Sequence, residues 1–217
     1  MSQAASRLAA AIVTFLMSAG ACAAVVASNT DYGNIDGREA TRALKVTTRG
    51  TVLDLNIMVE FSKCDDPPIG PDGDACLGIG SPFENEFALR LIAPNGAGVD
   101  LVQAFTTYQQ GTRGTSAGRV SVSFDDEAAS AAGPRVREGS FRPAQALSAF
   151  DGMDMYGSWT LYLRDFFTGD PFEFFSARLE MAYEPAPVPE PATLAVLGLG
   201  LIGIGAARRG GLRVRRG

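Results

Sequence analysis

Between Thr41 and Tyr183, apolar and polar residues alternate in short runs. In "TVLDLNIMVEF" Leu53, Leu55, Ile57, Val59 and Phe61 share one phase, and Asp54, Asn56 and Glu60 share the other. "EFALRLIAP" sets Phe87, Leu89 and Leu91 together, and "RVSVSF" alternates Val120, Val122 and Phe124 with serine. "SWTLYLRD" places Trp159, Leu161 and Leu163 opposite Thr160, Tyr162 and Arg164, and "FSARLEMAY" aligns Phe175, Ala177, Leu179 and Met181. A period of two is that of a strand with one buried face. The runs end in turn residues such as Pro94-Asn95-Gly96 and Thr168-Gly169-Asp170. Several half-buried strands of this kind predict an all-β fold, two antiparallel sheets packed as a β-sandwich. A helical turn is expected around Asp125–Ala131, and "FRPAQALSAF" reads as a loop covering the core.

The two ends depart from this pattern. Arg7 precedes an apolar stretch from Leu8 to Met17, and Ala21-Cys22-Ala23 fits a small-x-small cleavage site. That layout predicts a signal peptide over residues 1–23. The β domain is expected over 24–183, followed by a proline-rich linker, "EPAPVPEP", over 184–191. Ala192 to Ala207 is a run of 16 uncharged, mostly apolar residues. It is short for a spanning helix of roughly 20 residues but within reach of a thin bilayer. It is read as a single transmembrane helix, with the basic tail 208–217 on the cytoplasmic side.

Charge sharpens the picture. From Ala24 to Val188 there are 13 Lys and Arg against 23 Asp and Glu, a net charge of −10. Phosphate binding needs clustered cations, so a nucleic-acid partner is excluded. The chain has no histidine, which removes Ser-His-Asp and Cys-His catalysis and His-ligated metals. Carboxylate chemistry of the glycosidase kind stays open. Cleavage after Ala23 would leave Cys64 and Cys76, and an even pair in an exported chain predicts a disulfide.

Several residues are candidates for chemistry. Asp65, Asp66, Asp72 and Asp74 crowd the loop "CDDPPIGPDGDAC", which is either a solvated insertion or a calcium-binding loop. Glu84 and Glu86, one residue apart, are expected on one strand face as an acid/base pair or as a coincidence of an acidic protein. Asp165 and Asp170 read as turn caps. Trp159, the sole tryptophan, is expected in the core rather than on a sugar-binding platform. Of adjacent phenylalanines among Phe166, Phe167, Phe172, Phe174 and Phe175, one of each pair is expected outside, as a contact patch.

Val188-Pro189-Glu190-Pro191, the short apolar segment and Arg208-Arg209 together resemble the PEP-CTERM sorting tail of exported bacterial proteins. That resemblance implies an exosortase-type enzyme as partner, Pro189, Glu190 and Pro191 with Arg208 and Arg209 as the sorting motif, and passage through a membrane-anchored form to the cell surface.

The β region is similar to the proprotein-convertase P domain. The resemblance rests on Phe87, Leu89, Leu91, Pro94, Gly96 and Leu101, then Phe124, Asp126 and Ala128. It continues through Gly139, Phe141, Pro143, Phe150 and Gly152 to Gly157, Trp159, Leu161, Asp165 and Gly169-Asp170. It implies a jelly-roll β-sandwich. The family's His-Thr pair is missing, and a cysteine loop is inserted between Phe61 and Phe83. Without the histidine of the accompanying protease, the resemblance implies a fold and no catalysis. The expectation is therefore a non-catalytic exported binding or structural module, with extracellular polysaccharide or protein as partner. A carbohydrate-binding sandwich, calcium-assisted, is the first alternative, and a carboxylate-based hydrolase the second.

Overall fold

The computed structural model of the chain describes residues 22–65, 71–72, 80–113 and 116–187. Ten strands occur in chain order: β1 (Cys22–Asn29), β2 (Gly33–Ile35), β3 (Glu39–Val46), β4 (Gly50–Lys63), β5 (Phe87–Ile92), β6 (Gly98–Val102), β7 (Val120–Phe124), β8 (Gly139–Phe141), β9 (Gly157–Asp165) and β10 (Phe172–Pro185). One sheet runs β1-β10-β4-β7-β8, with β2 also on β10; the other runs β3-β9-β5-β6. The pairs β3–β9, β5–β9, β5–β6, β4–β7 and β1–β10 are antiparallel, while β7 and β8 run parallel. The expected all-β, two-sheet architecture is observed. Residues Met1–Glu184 form one compact unit and Pro185–Gly217 a second.

The period-two runs supply the core. Leu89 and Leu91 from β5, Trp159, Leu161 and Leu163 from β9, Ile57, Val59 and Phe61 from β4, and Ala177, Leu179 and Met181 from β10 join one cluster. Phe61 lies 5.4 Å from Phe87 and 5.1 Å from Phe172, ring centre to ring centre, so the two sheets meet through aromatic side chains. Gly157 opens β9 at φ +132, where a Cβ would stand 2.9 Å from the Pro94 side chain. Glycine is needed there both for the backbone angle and for the approach of the Pro94-Asn95-Gly96 turn.

Two phases slip by one residue. Leu53 is exposed while Val52 is buried, so the core face of β4 reads Val52, Leu55, Ile57, Val59, Phe61. The cause is pairing at the strand's start. There Val52 N–H donates to Met153 O at 2.9 Å and Gly152 N–H to Val52 O at 2.8 Å, anchoring β4 to a loop. In β10, Phe172 and Phe174 join the main core with Ala177, whereas Phe175 is buried with Cys64 and Tyr32 in a separate cluster. Phe174 and Phe175 are thus both buried, each against different neighbours. The expected exposure of one of them is not observed.

Asp125–Ala131 is not helical. Asp125 Oδ1 accepts the Glu127 N–H at 2.8 Å, and the side chain closes a turn instead. The helical element described is a short 3-10 helix, Leu147–Phe150, inside "FRPAQALSAF". Asp126 holds it by accepting Leu147 N–H at 2.9 Å and Ser148 N–H at 2.8 Å, which puts Leu147 and Phe150 into the core. The expected covering loop is therefore present, with a capped helical turn in it.

At the ends, β1 pairs Cys22 with Tyr183 and Ala23 with Ala182. A cut after Ala23 would remove these first two residues of an edge strand; residues 1–21 lie outside the described residues. β10 continues to Pro185, two residues into the segment read as linker, and stops at a residue with no N–H to donate. Among the described residues no helix is long and apolar enough to cross a membrane. The predicted spanning segment, 192–207, lies outside them.

Candidate functional site

Lys63 continues the inward phase of β4 through Leu55, Ile57, Val59 and Phe61, and Asp165 continues that of β9 through Trp159, Leu161 and Leu163. The same alternation that builds the core thus carries an ammonium and a carboxylate to its end. Lys63 Nζ stands 2.7 Å from Glu86 Oε1 and 2.8 Å from Asp165 Oδ2, and it also donates to Asp170 O. Asp165 Oδ2 accepts the Phe172 N–H at 2.9 Å, and Asp170 Oδ2 accepts the Phe83 N–H at 2.8 Å. Lys63 and Asp165 side chains are fully buried. Burial pushes the carboxyls of Asp165 and Glu86 above the usual range, against the pull of Lys63. Asp165 and Asp170 lift Glu86 further by like-charge repulsion.

Against this cluster opens a cavity of about 460 Å³, lined in part by Phe83, Asn85, Glu86, Phe105, Phe167 and Asp170. Phe83, Phe105, Phe166 and Phe167 are exposed. Phe105 packs edge-on against Phe166 at 5.4 Å and Phe167 at 6.1 Å. Phe105 has φ 61, in the left-handed region that a bulky residue seldom adopts, and its N–H donates to Asn85 O at 2.5 Å. Phe166 and Phe167 both face outward because they follow the end of β9, where alternation no longer applies.

Burial raises the Asp170 carboxyl to about 6, helped by a hydrogen bond and negative charge from Asp65. A proton held in the folded state stabilises fully below the ordinary aspartate value of 3.8, and that contribution is lost as pH rises through about 6. Wild type should therefore gain more in Tm between pH 7 and pH 5 than Asp170→Asn, which keeps an acceptor for the Phe83 N–H. Equal gains in the two proteins, read by thermal unfolding at each pH, would refute the assignment.

The sequence candidates are distributed as follows. Glu84 and Glu86 lie in the turn before β5 and not on a strand, and each is buried with its own cation. Arg135 Nε and Nη2 clamp the Glu84 carboxylate at 2.7 Å each, and Lys63 holds Glu86. Asp165 does cap its turn, accepting the Phe172 N–H across it, while the Asp170 carboxylate accepts the distant Phe83 N–H, and both are also parts of the buried charge cluster. The signal that the sequence reading misses is Lys63, one of two lysines, in phase with four core positions of β4. Trp159 is fully buried and donates its Nε1–H to Met155 O at 2.9 Å, so it forms no platform. Cys64 is buried and disulfide-bonded, while Cys76 lies outside the described residues. Asp65 Oδ2 accepts the Ser81 N–H at 2.5 Å, Asp72 is exposed, and Asp66 and Asp74 lie outside the described residues. Among the described residues no group of three acidic, thiol or imidazole ligands is placed to hold a metal.

The tail supplies the deciding likeness, a match to the PEP-CTERM protein-sorting motif over residues 187–209. This chain carries a PEP-CTERM sorting motif. Pro189, Glu190, Pro191, Arg208 and Arg209 all fall within it, although their structure lies outside the described residues. The PEP-CTERM motif implies export, membrane anchoring before sorting to the cell surface, and processing by an exosortase-type enzyme. No curated protein matches the chain. Among solved structures, the crystal structure of the Aeromonas sobria serine protease with its chaperone ORF2 is similar at 13% identity and a TM-score of 0.44, covering 77% of this chain and 28% of that one. The chain thus spans little more than a quarter of that structure's length. FLHE is similar at 14% identity and a TM-score of 0.37, covering 76% of this chain and 99% of its own. These distant likenesses do not single out the proprotein-convertase P domain.

Proposed function

We propose that this chain is a non-catalytic binding or structural module, a jelly-roll-like sandwich that is exported, anchored and then handed to the cell surface or extracellular matrix by an exosortase-type enzyme. The sorting motif over residues 187–209 carries this reading. The acidic β domain then works outside the membrane, with the Cys64 disulfide closed onto Cys76. Binding is supported by the cavity rimmed with exposed phenylalanines, since a large apolar patch left in water marks a contact surface. The same rim favours a second reading, contact with the face of a sugar ring.

Replacing Pro189, Glu190 and Pro191 by alanine should leave a longer, membrane-retained protein, whereas wild type loses Arg208 and the residues after it. Mass spectrometry of the C-terminus decides this. An intact arginine end on wild type, taken from cells with an active sorting enzyme, would sink the sorting assignment. The same processed protein, denatured without reduction, should show no reactive thiol. Flattening the rim with Phe105→Ala and Phe167→Ala should shed processed protein from the envelope into the medium. Unchanged retention would remove the binding role from the cavity.

A further inference from the structure

We propose that the cavity beside Lys63 is a binding site for an organic cation, a guanidinium or ammonium group on an aliphatic stem. This rests on the reading of the domain as a binding module and names the ligand chemistry of its cavity.

The walls and the floor point to the same class. Six large hydrophobic side chains are exposed among the described residues, and three of them line this cavity, Phe83, Phe105 and Phe167, with Phe166 packed edge-on against Phe105. Their ring faces are electron-rich and attract cations. The protein already makes this contact next to the cavity, where the Arg164 guanidinium lies 4.4 Å from the centre of the ring of Phe166, the neighbour of the lining residue Phe105. Phe105 is held in the left-handed region by its bond to Asn85 O, a conformation that costs energy and keeps the ring at the mouth.

The floor is made of acceptors. Glu86 and Asp170 bring carboxylates to the cavity, and Asn85 Oδ1 is buried without a donor. A buried acceptor left unpaired is costly, and it adds to the negative character of the cavity's floor. Glu86 and Asp165 share the Lys63 ammonium, and the charges of Asp165 and Asp170 both bear on Glu86. A second positive charge entering between the phenylalanines relieves that repulsion. A divalent metal fits less well, because no three ligands converge among the described residues. A neutral sugar leaves the charge imbalance in place. The volume, about 460 Å³, suits a small ligand or a single side chain.

The test is calorimetric titration of the full-length chain in lipid nanodiscs. The probes are butylguanidinium, its neutral isostere butylurea, an acetylated Gly-Arg-Gly amide and a neutral oligosaccharide. Butylguanidinium should bind at one site, with butylurea weaker by about tenfold or more. Phe167→Ala, an exposed position, and Asp170→Asn should each weaken butylguanidinium by a similar factor. Binding of the arginine peptide as well would place the natural cation on a protein side chain, and binding of butylguanidinium alone would place it on a free small molecule. Equal binding of urea and guanidinium, indifference to Phe167→Ala, or no cation binding at millimolar concentration would each overturn the proposal. If cations fail but an oligosaccharide binds and Phe167→Ala abolishes it, the binding module stands and its ligand class is wrong. If nothing binds and the rim variants stay on the cell surface, both readings fall.

Discussion

Lys63→Met should destabilise the protein by about 3–5 kcal/mol at neutral pH, the usual cost of breaking a buried ion pair from one side. The variant keeps the aliphatic stem, so packing among Phe61, Phe87 and Phe172 is largely retained. What it removes is the ammonium that stands 2.7 Å from Glu86 and 2.8 Å from Asp165, in a place closed to water. Both carboxyls already lie above their usual range because burial outweighs Lys63. Without Lys63 they rise further and are protonated in the fold. Stability contributed by such protonated acids is present at low pH and is lost as pH rises through their folded values. The deficit should therefore shrink at acidic pH and grow toward alkaline pH. Adding Glu86→Gln and Asp165→Asn to Lys63→Met should recover part of the loss, since the uncompensated charges go with them. Urea unfolding at several pH values measures all three proteins. A pH-independent deficit below about 1 kcal/mol would mean that the cluster behaves like a surface pair.

Trp159→Ala should cost a comparable amount, about 3–5 kcal/mol. Trp159 sits on β9, between β3 and β5, with no exposed surface. Its ring meets Phe150 edge-on at 5.0 Å, and its Nε1–H is spent on Met155 O. Truncation leaves a cavity, an unpaired carbonyl and a 3-10 helix without its inner anchor. Trp159→Phe refills most of the space and loses the hydrogen bond, so it should cost clearly less. Trp159 is the one tryptophan in the chain, and unfolding is best followed by far-ultraviolet circular dichroism rather than fluorescence. If the phenylalanine and alanine variants are equally stable, Trp159 is not packed as described.

The alternation in β5, β7 and β9 was legible in the sequence because each strand's core phase is continuous from end to end. Leu53 and Phe175 were placed in the main core because nothing local announces a shift of phase: Val52 takes the inward place of Leu53 where β4 pairs with a loop, and Phe175 is buried in a separate cluster with Cys64. The 3-10 helix at Leu147–Phe150 was out of reach of the local sequence, since the carboxylate that holds it is Asp126, about twenty residues earlier.

By itself the sequence determined the class of fold, the division into domain and tail, the exclusion of histidine chemistry and the sorting motif. Each follows from local order, as composition, periodicity or a contiguous motif. Only the tertiary structure decided the site. Lys63, Glu86 and the segment 165–170 come from separate stretches of the chain; the phases of β4 and β9, in different sheets, bring Lys63 and Asp165 to one end of the core, and two turns add Glu86 and Asp170. Whether a carboxylate that caps a turn also joins a buried cluster depends on what stands opposite, and that is a property of the packed sheets alone.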